Sequence, residues 1–312
     1  MKPRRRAARA AALGAVLLGL LLGNGCSVRK FAVNQLGNAL AGSGATYASD
    51  DDPELVRDAA PFSLKLIETV LAETPRHRGL LLGAASGFTQ YAYAFVQEDA
   101  DELEAKDLET AQRLRERARR LYLRARNYGL RGLDTALPGF ETALRQNPKA
   151  AARRAGRADV PLLYWTAAAW GSAISLSKDN PDLVAEVPCV EALIDRAAEL
   201  DPDFDHGALH SFLITYEMAR SGVPGDPAAR ARQHFERAFE LSQGRQAGPM
   251  VALAEAVCVQ KQNLKEFESL LNRALAVDVN AKSEWRLMNL VMQRRARWLL
   301  ARKDDLFLVP EK

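Results

Sequence analysis

Apolar residues recur at intervals of three and four along nearly the whole chain, and no run alternates with period two. Segments rich in Ala, Leu, Arg and Glu dominate, so the pattern predicts an all-α protein. Asp52-Pro53-Glu54 has the chemistry of a helix start, with an N-cap, a proline in the first turn and an acid beside it. That helix should run through Phe62, Leu66 and Val70 to Pro75. A second, over about 77–98, is apolar on most sides and is expected to be buried. Residues 98–131 read as one long helix, acidic from Glu98 to Glu109 and basic from Arg113 to Arg131. That order complements the helix macrodipole, and Glu109–Arg113 and Glu116–Arg120 have favourable i,i+4 spacing. Gly129, Gly132 and Pro138-Gly139 are expected to end it, and Arg153–Asp159 to form a surface loop. Further helices are expected at 160–177, 188–200, 205–221, 226–242, 248–261, 264–277 and 281–302, separated by turn and helix-stop residues.

A degenerate repeat runs through these helices. Val190, Ile194, Ala197 and Pro202 share their spacing with Ala231, Phe235, Ala238 and Gln243, and with Phe267, Leu271, Ala274 and Val279. Ser63, Ile67, Val70 and Pro75 give an early version. A large apolar residue, then a small one, then a breaker is the second-helix signature of a tetratricopeptide-like pair. Stacked helix pairs in an α-α superhelix are therefore expected.

The first 26 residues differ from the rest. Lys2, Arg4, Arg5, Arg6 and Arg9 precede an uninterrupted apolar and glycine stretch from Ala10 to Leu22, followed by Gly23-Asn24-Gly25-Cys26. Such a stretch is too short to span a bilayer and has the length of a signal-peptide core. A small residue before Cys26 marks a lipoprotein signal, after which Cys26 becomes the lipidated first residue. Gly23 stands where leucine is usual, and the competing reading is an ordinary secretory signal with Cys26 incidental. The expected organisation is a signal at 1–25, a tether at 26–49, a helical domain at 50–302 and a tail at 303–312. Ser27 after the cysteine favours the outer over the inner membrane, on the periplasmic face.

Processing changes the charge. The full chain carries 43 basic and 39 acidic residues; without residues 1–25 it carries 38 and 39. A nucleic-acid binder needs a basic surplus on its folded domain, so no nucleic-acid partner is expected. Cys189 and Cys258 sit in apolar helical patterns and are expected to be buried small hydrophobes, although an oxidising compartment would permit one disulfide.

Catalytic motifs are weak. His206 and His210 at i,i+4 have metal-ligand spacing, but Gly207 stands where a metalloprotease helix carries glutamate. Gly83-Ala84-Ala85-Ser86-Gly87 fails the spacing of a nucleophile elbow, and Asp50-Asp51-Asp52 suits capping better than a calcium loop. No phosphate loop or dinucleotide fingerprint occurs. No catalytic residue, metal or cofactor is expected. The aromatic groups are more informative: Phe88, Gln90, Tyr91 and Tyr93 in one segment; Tyr122, Arg124 and Arg126 in a second; Tyr164, Trp165 and Trp170 in a third. Aromatic rings beside small residues suit an apolar pocket with a few polar handles, and these ten are the candidate lining of a pore or cleft.

Several strings carry a resemblance. They are Asp50-Asp51-Asp52-Pro53-Glu54-Leu55-Val56-Arg57-Asp58-Ala59, Ala85-Ser86-Gly87-Phe88-Thr89-Gln90-Tyr91-Ala92-Tyr93-Ala94-Phe95-Val96, Leu121-Tyr122-Leu123-Arg124-Ala125-Arg126, Asp159-Val160-Pro161-Leu162-Leu163-Tyr164-Trp165, and Arg294-Arg295-Ala296-Arg297-Trp298-Leu299-Leu300. Over nearly the whole mature chain the sequence resembles the T-component (TatT) family, lipoproteins of tripartite ATP-independent periplasmic (TRAP) transporters. The resemblance implies cryptic tetratricopeptide-like repeats, a homotrimer, a pore or cleft for hydrophobic solutes, and pairing with the periplasmic solute-binding P-component. The expected function is thus a non-enzymatic, lipid-anchored transport accessory; the alternative is a ligand-free assembly scaffold at the cell envelope.

Overall fold

In the computed structural model, residues 35–308 are described, apart from 36, 41 and 43. The signal at 1–25, Cys26 and the first part of the tether lie outside the described residues. Every regular element among the described residues is helical. A short helix α1 (Gly44–Ala48) leads into α2 (Pro53–Glu73), where the Asp52 carboxylate accepts from the Glu54 and Leu55 N–H groups, each at 3.0 Å. The buried stripe of α2 is Val56, Leu64, Ile67, Val70 and Leu71, the period of a one-sided amphipathic helix.

The long charged helix expected at 98–131 is two pieces. Helix α3 (Arg78–Ala92) passes through a π-helical turn, Tyr93–Gln97, into α4 (Glu98–Leu103). After a turn, Asp107 caps α5 (Leu108–Ala136) by accepting from the Thr110 N–H at 3.0 Å. The acidic run therefore closes the preceding helix, the end the macrodipole disfavours for negative charge. Tertiary ion pairs outweigh that cost: Asp99 meets Arg57 and Arg294, Asp101 meets Arg115 and Arg295, and Glu104 meets Arg115. Gly129 and Gly132 do not stop α5 either. They are interior positions where it presses against α8 (Val160–Ser175): a Cβ on Gly129 would overlap Thr166 Oγ1, and one on Gly132 would lie 2.6 Å from Leu162 Cδ2.

Three short helices have no periodicity long enough to announce them: α6 (Phe140–Gln146), α7 (Pro148–Ala152) and α9 (Pro181–Val184). The rest follow the expected order: α10 (Val187–Leu200), α11 (Ala208–Ala219), α12 (Pro227–Ser242), α13 (Gly248–Leu253), α14 (Leu264–Leu275) and α15 (Arg286–Ala301). Helix α13 runs into a second π-helical turn, Ala254–Cys258. Residues 303–306, expected as tail, form α16 (Lys303–Leu306), and Phe307 packs its ring on Phe267 at 4.9 Å.

Helices pack in chain order, α2 on α3, α3 on α5, α5 on α8, α8 on α10, α11 on α12 and α14 on α15. The last long helix then returns to the first: α15 touches α1 and α2, and Arg286 donates to the Ser49 carbonyl at 2.9 Å. The small residues of the sequence repeat, Val70, Ala197, Ala238 and Ala274, are all buried where helices meet. Cys189 and Cys258 are free and buried; burial raises the Cys189 thiol pKa and pushes that of Cys258 up to about 12. No helix among the described residues is long and apolar enough to cross a membrane.

The α5–α8 approach gives a test. Ala would ordinarily stabilise a helix interior relative to Gly by about 1 kcal/mol. Gly129→Ala instead should destabilise by about 2 kcal/mol in urea unfolding, the range for overpacking a dense contact. Gly132→Ala, which meets only the flexible end of Leu162, should cost less, and Thr166→Ala should recover part of the Gly129→Ala loss.

Candidate functional site

The ten residues expected to line one cleft are spread over several separate neighbourhoods. Phe88 stacks on Tyr128 at 6.0 Å, with the Arg124 guanidinium 5.0 Å from its ring centroid. Beneath them Glu68 accepts from Tyr128 Oη at 2.7 Å and pairs with Arg124 at 2.5 Å. Burial alone would raise the Glu68 pKa; hydrogen bonds from Lys65 and Tyr128 and the Arg124 charge hold it below the usual range. Trp170 is fully buried between the guanidinium groups of Arg126 and Arg145, at 4.9 and 5.6 Å, and its Nε1 donates to Glu186 at 2.9 Å. Tyr122 is fully buried and donates to Gln97 Oε1 at 2.7 Å. Gln90 is exposed, and its Nε2 donates to the Ser86 carbonyl at 3.3 Å. Tyr91 lies under Arg117 and beside Phe95, and Tyr93 sits at the π-helical turn.

Tyr164 and Trp165 belong to a different feature, a row of rings shared by α8, α11 and the turn before α11. Tyr164 lies 5.0 Å from Trp165, 5.5 Å from Phe204 and 6.5 Å from Phe212; Phe212 stacks on Tyr216 at 5.3 Å. All five residues are partly exposed, and Tyr164, Phe204, Phe212 and Tyr216 pack against the edge of a buried core. Tyr216 Oη is buried and has no hydrogen-bond partner. Burial raises the pKa of both Tyr164 and Tyr216, so the two phenols stay protonated donors. Phe204 is presented by a turn with three successive left-handed residues, Asp205 (φ 45°), His206 (φ 53°) and Gly207 (φ 98°). Two of these are not glycine, and each such residue costs about 1–2 kcal/mol; strain of this kind concentrates where a side chain must be held in place. Phe204, Phe212 and Tyr216 escaped the sequence reading. Their only local signal is the i,i+4 spacing of Phe212 and Tyr216, which core helices share.

That turn also corrects the histidine reading. Helix α11 begins at Ala208, so His206 and His210 do not share a helical face. His206 is exposed and packs its ring on Trp285 at 5.3 Å, while His210 Nδ1 meets His234 Nδ1 at 2.8 Å. Burial is the main cause lowering the pKa of both paired histidines. Among the described residues no group of three or more His, Cys, Asp or Glu is placed to hold a metal ion.

An ionic cluster centred on the buried Glu98 and Arg295 lies where the two π-helical turns face α15, with Asp101 and Glu255 at its more exposed edge. Arg295 pairs with Asp101 at 2.8 Å and with Glu255, and lies 3.6 Å from Glu98. Glu98 is 1% exposed, and neither carboxylate oxygen has a hydrogen bond of good geometry. Burial pushes its pKa up to about 7, against the pull of Arg295 and the nearby Tyr93 hydroxyl, with Glu255 and Asp101 adding like charge.

Fold and site together define an all-helical protein: helices packed in series, tied end to end by ion pairs, with an aromatic row shared by α8, α11 and the turn before α11. The sequence profile of the TRAP transporter T-component matches residues 49–307. An uncharacterized protein of Treponema pallidum (strain Nichols) is 31% identical over 307 residues, spanning 92% of this chain and 95% of its own. The chain belongs to the TRAP transporter T-component family. That family is a transport accessory of the cell envelope rather than an enzyme family.

The Glu98 environment sets a pH dependence. Its folded pKa of about 7 exceeds the ordinary 4.5, so the native state holds the proton more tightly. The stability it contributes is full below about pH 4.5 and is lost as pH rises through 7. Glu98→Gln keeps the neutral form. It should leave the urea midpoint near that of the parent at pH 4 and raise stability by about 3 kcal/mol at pH 8.

Proposed function

We propose that the chain is a periplasmic lipoprotein accessory that binds the solute-binding P-component of its TRAP transporter and shelters a hydrophobic solute in a helical cleft. The helix pairs are read as degenerate tetratricopeptide-like repeats, the chain as a homotrimer, and Cys26 as its lipid anchor, in the outer rather than the inner membrane. The row Tyr164, Trp165, Phe204, Phe212 and Tyr216 is the observation that carries the solute reading. Partly exposed rings on adjoining elements offer apolar surface, and the unpartnered Tyr216 hydroxyl offers one donor to a polar end of the solute. Of the other candidates, Tyr91 and Tyr93 keep partial exposure beside Arg117 and at the π-helical turn and are not part of this row. The scaffold reading is favoured by a different observation, the burial of Phe88, Tyr122 and Trp170 in packed core.

Solvent extraction and mass spectrometry of protein purified from its native envelope should recover a hydrophobic molecule. Tyr216→Phe should weaken its binding several-fold without loss of thermal stability, since it deletes a buried hydroxyl with no partner. Phe212→Ala with Trp165→Ala should abolish recovery. An empty wild-type protein that still binds the P-component would support the scaffold. For the anchor, palmitate labelling should disappear in Cys26→Ala; equal labelling of parent and variant would refute it.

A further inference from the structure

Helix α5 carries a row of arginines on one outward face: Arg113, Arg117, Arg120, Arg124 and Arg131, all exposed. Three of them share one arrangement. Arg117 lies over the Tyr91 ring at 5.9 Å, Arg124 over Phe88 at 5.0 Å and Arg131 over Tyr128 at 5.3 Å. These three are seven residues apart in turn, which on an α-helix is two turns, or about 10.5 Å. The rings beneath hold each guanidinium on a shelf, so less side-chain entropy remains to be lost when it meets an anion.

The row is also short of negative charge. Glu116 pairs with Arg119 and Arg120, and Glu68 is taken by Lys65, Tyr128 and Arg124. Arg117 and Arg131 have no carboxylate partner among the described residues; they reach only Tyr91 Oη at 3.4 Å and the Pro75 carbonyl at 3.1 Å. Elsewhere the fold pairs arginines with acids freely, as Arg57, Arg115, Arg220, Arg294 and Arg295 show. Arg117 and Arg131, stacked on rings at either end of the row and left without an acid, flank Arg124, whose charge Glu68 already meets; such exposed cations suit an external carboxylate.

We propose that this arginine ladder on α5 is the docking surface for a protein partner that presents a matching row of carboxylates, spaced as on one face of an acidic helix. The proposal rests on the reading that the chain works with a solute-binding component, and it assigns that component's contact to the outer face of α5. Association should be fast and strongly dependent on salt, because these exposed charges are screened within about 10 Å at 0.1 M.

The test measures affinity of the full chain for the solute-binding component of the same transporter by calorimetry, at low and high salt. The double variant Arg117→Glu, Arg131→Glu should bind at least about tenfold more weakly at low salt, with the gap closing at high salt. Arg117→Lys with Arg131→Lys should keep much of the affinity. Melting curves of all variants check the fold, and neither position belongs to an internal ion pair. Unchanged affinity in the charge-reversed variant would overturn the ladder while leaving the transport reading standing. If the parent itself does not bind the component, the transport reading fails; a synthetic helical peptide with glutamates at every seventh position then tests the ladder alone, and no binding of it would overturn the proposal. Vesicles of anionic phosphatidylglycerol are the last arm. Release of the variant from vesicles with its protein affinity intact would assign the row to a lipid surface and overturn the proposal.

Discussion

The meeting of α4 with α15 governs the rest of this structure. Asp99 and Arg294 are 195 residues apart, yet their side chains join at 2.8 Å. Bringing such distant points together in an unstructured chain costs about 5 kcal/mol of loop entropy. The cluster offsets that cost only because the intervening helix pairs have already brought the ends close. Arg295 then sits between Asp101, Glu255 and Glu98 in a nearly dry environment. Removing Arg295 would leave its carboxylates uncompensated, which costs more than each pair itself contributes. The two π-helical turns fit this account: each inserts an extra residue per turn and re-aims a carboxylate, Glu98 on one side and Glu255 on the other.

Arginine has two roles here. In the interior it neutralises carboxylates that would otherwise be stranded. On aromatic faces it packs its guanidinium against the ring, exposed to water over Tyr91 and Tyr128 and largely buried over Trp170. Trp170 with Arg126 and Arg145, and Trp298 with Arg295 and Arg302, each bring two guanidinium groups to one indole in two distant parts of the chain. A basic helix is therefore not a uniform surface. On α5 the face toward Trp170 is structural, and the face over Tyr91, Phe88 and Tyr128 is open.

The helical class, the Asp52 cap and most helices of the second half were legible in sequence, because periodicity and capping are local. The break at 104–107 was not. Its residues, Glu104-Ala105-Lys106-Asp107, include no glycine or proline, and the charge order of 98–131 matched a dipole rule that tertiary ion pairs override. Gly129 and Gly132 were read as stops because their true constraint, the approach of α8, is invisible along the chain. The candidate site was legible as residue types only. Tyr164 and Trp165 were found, but their partners Phe204, Phe212 and Tyr216 lie some forty to fifty residues further on and reach them through packing. Phe88, Tyr122 and Trp170 carry the same composition signal and belong to core.

The end-to-end clasp also has a consequence for how the molecule is made. A ribosome delivers Glu98 and Asp99 long before Arg294 and Arg295 exist. The acidic end of α4 can meet Arg57 and Arg115 early, but its pairing with Arg294 and Arg295 must wait until nearly the whole chain exists. Early helices can pair as they appear, because their contacts are local, but the last step is a single long-range event. A chain cut short by its final helix would not be a slightly smaller version of this fold. It would leave Glu102 and Glu255 without their arginines, while Asp99 and Asp101 kept only Arg57 and Arg115.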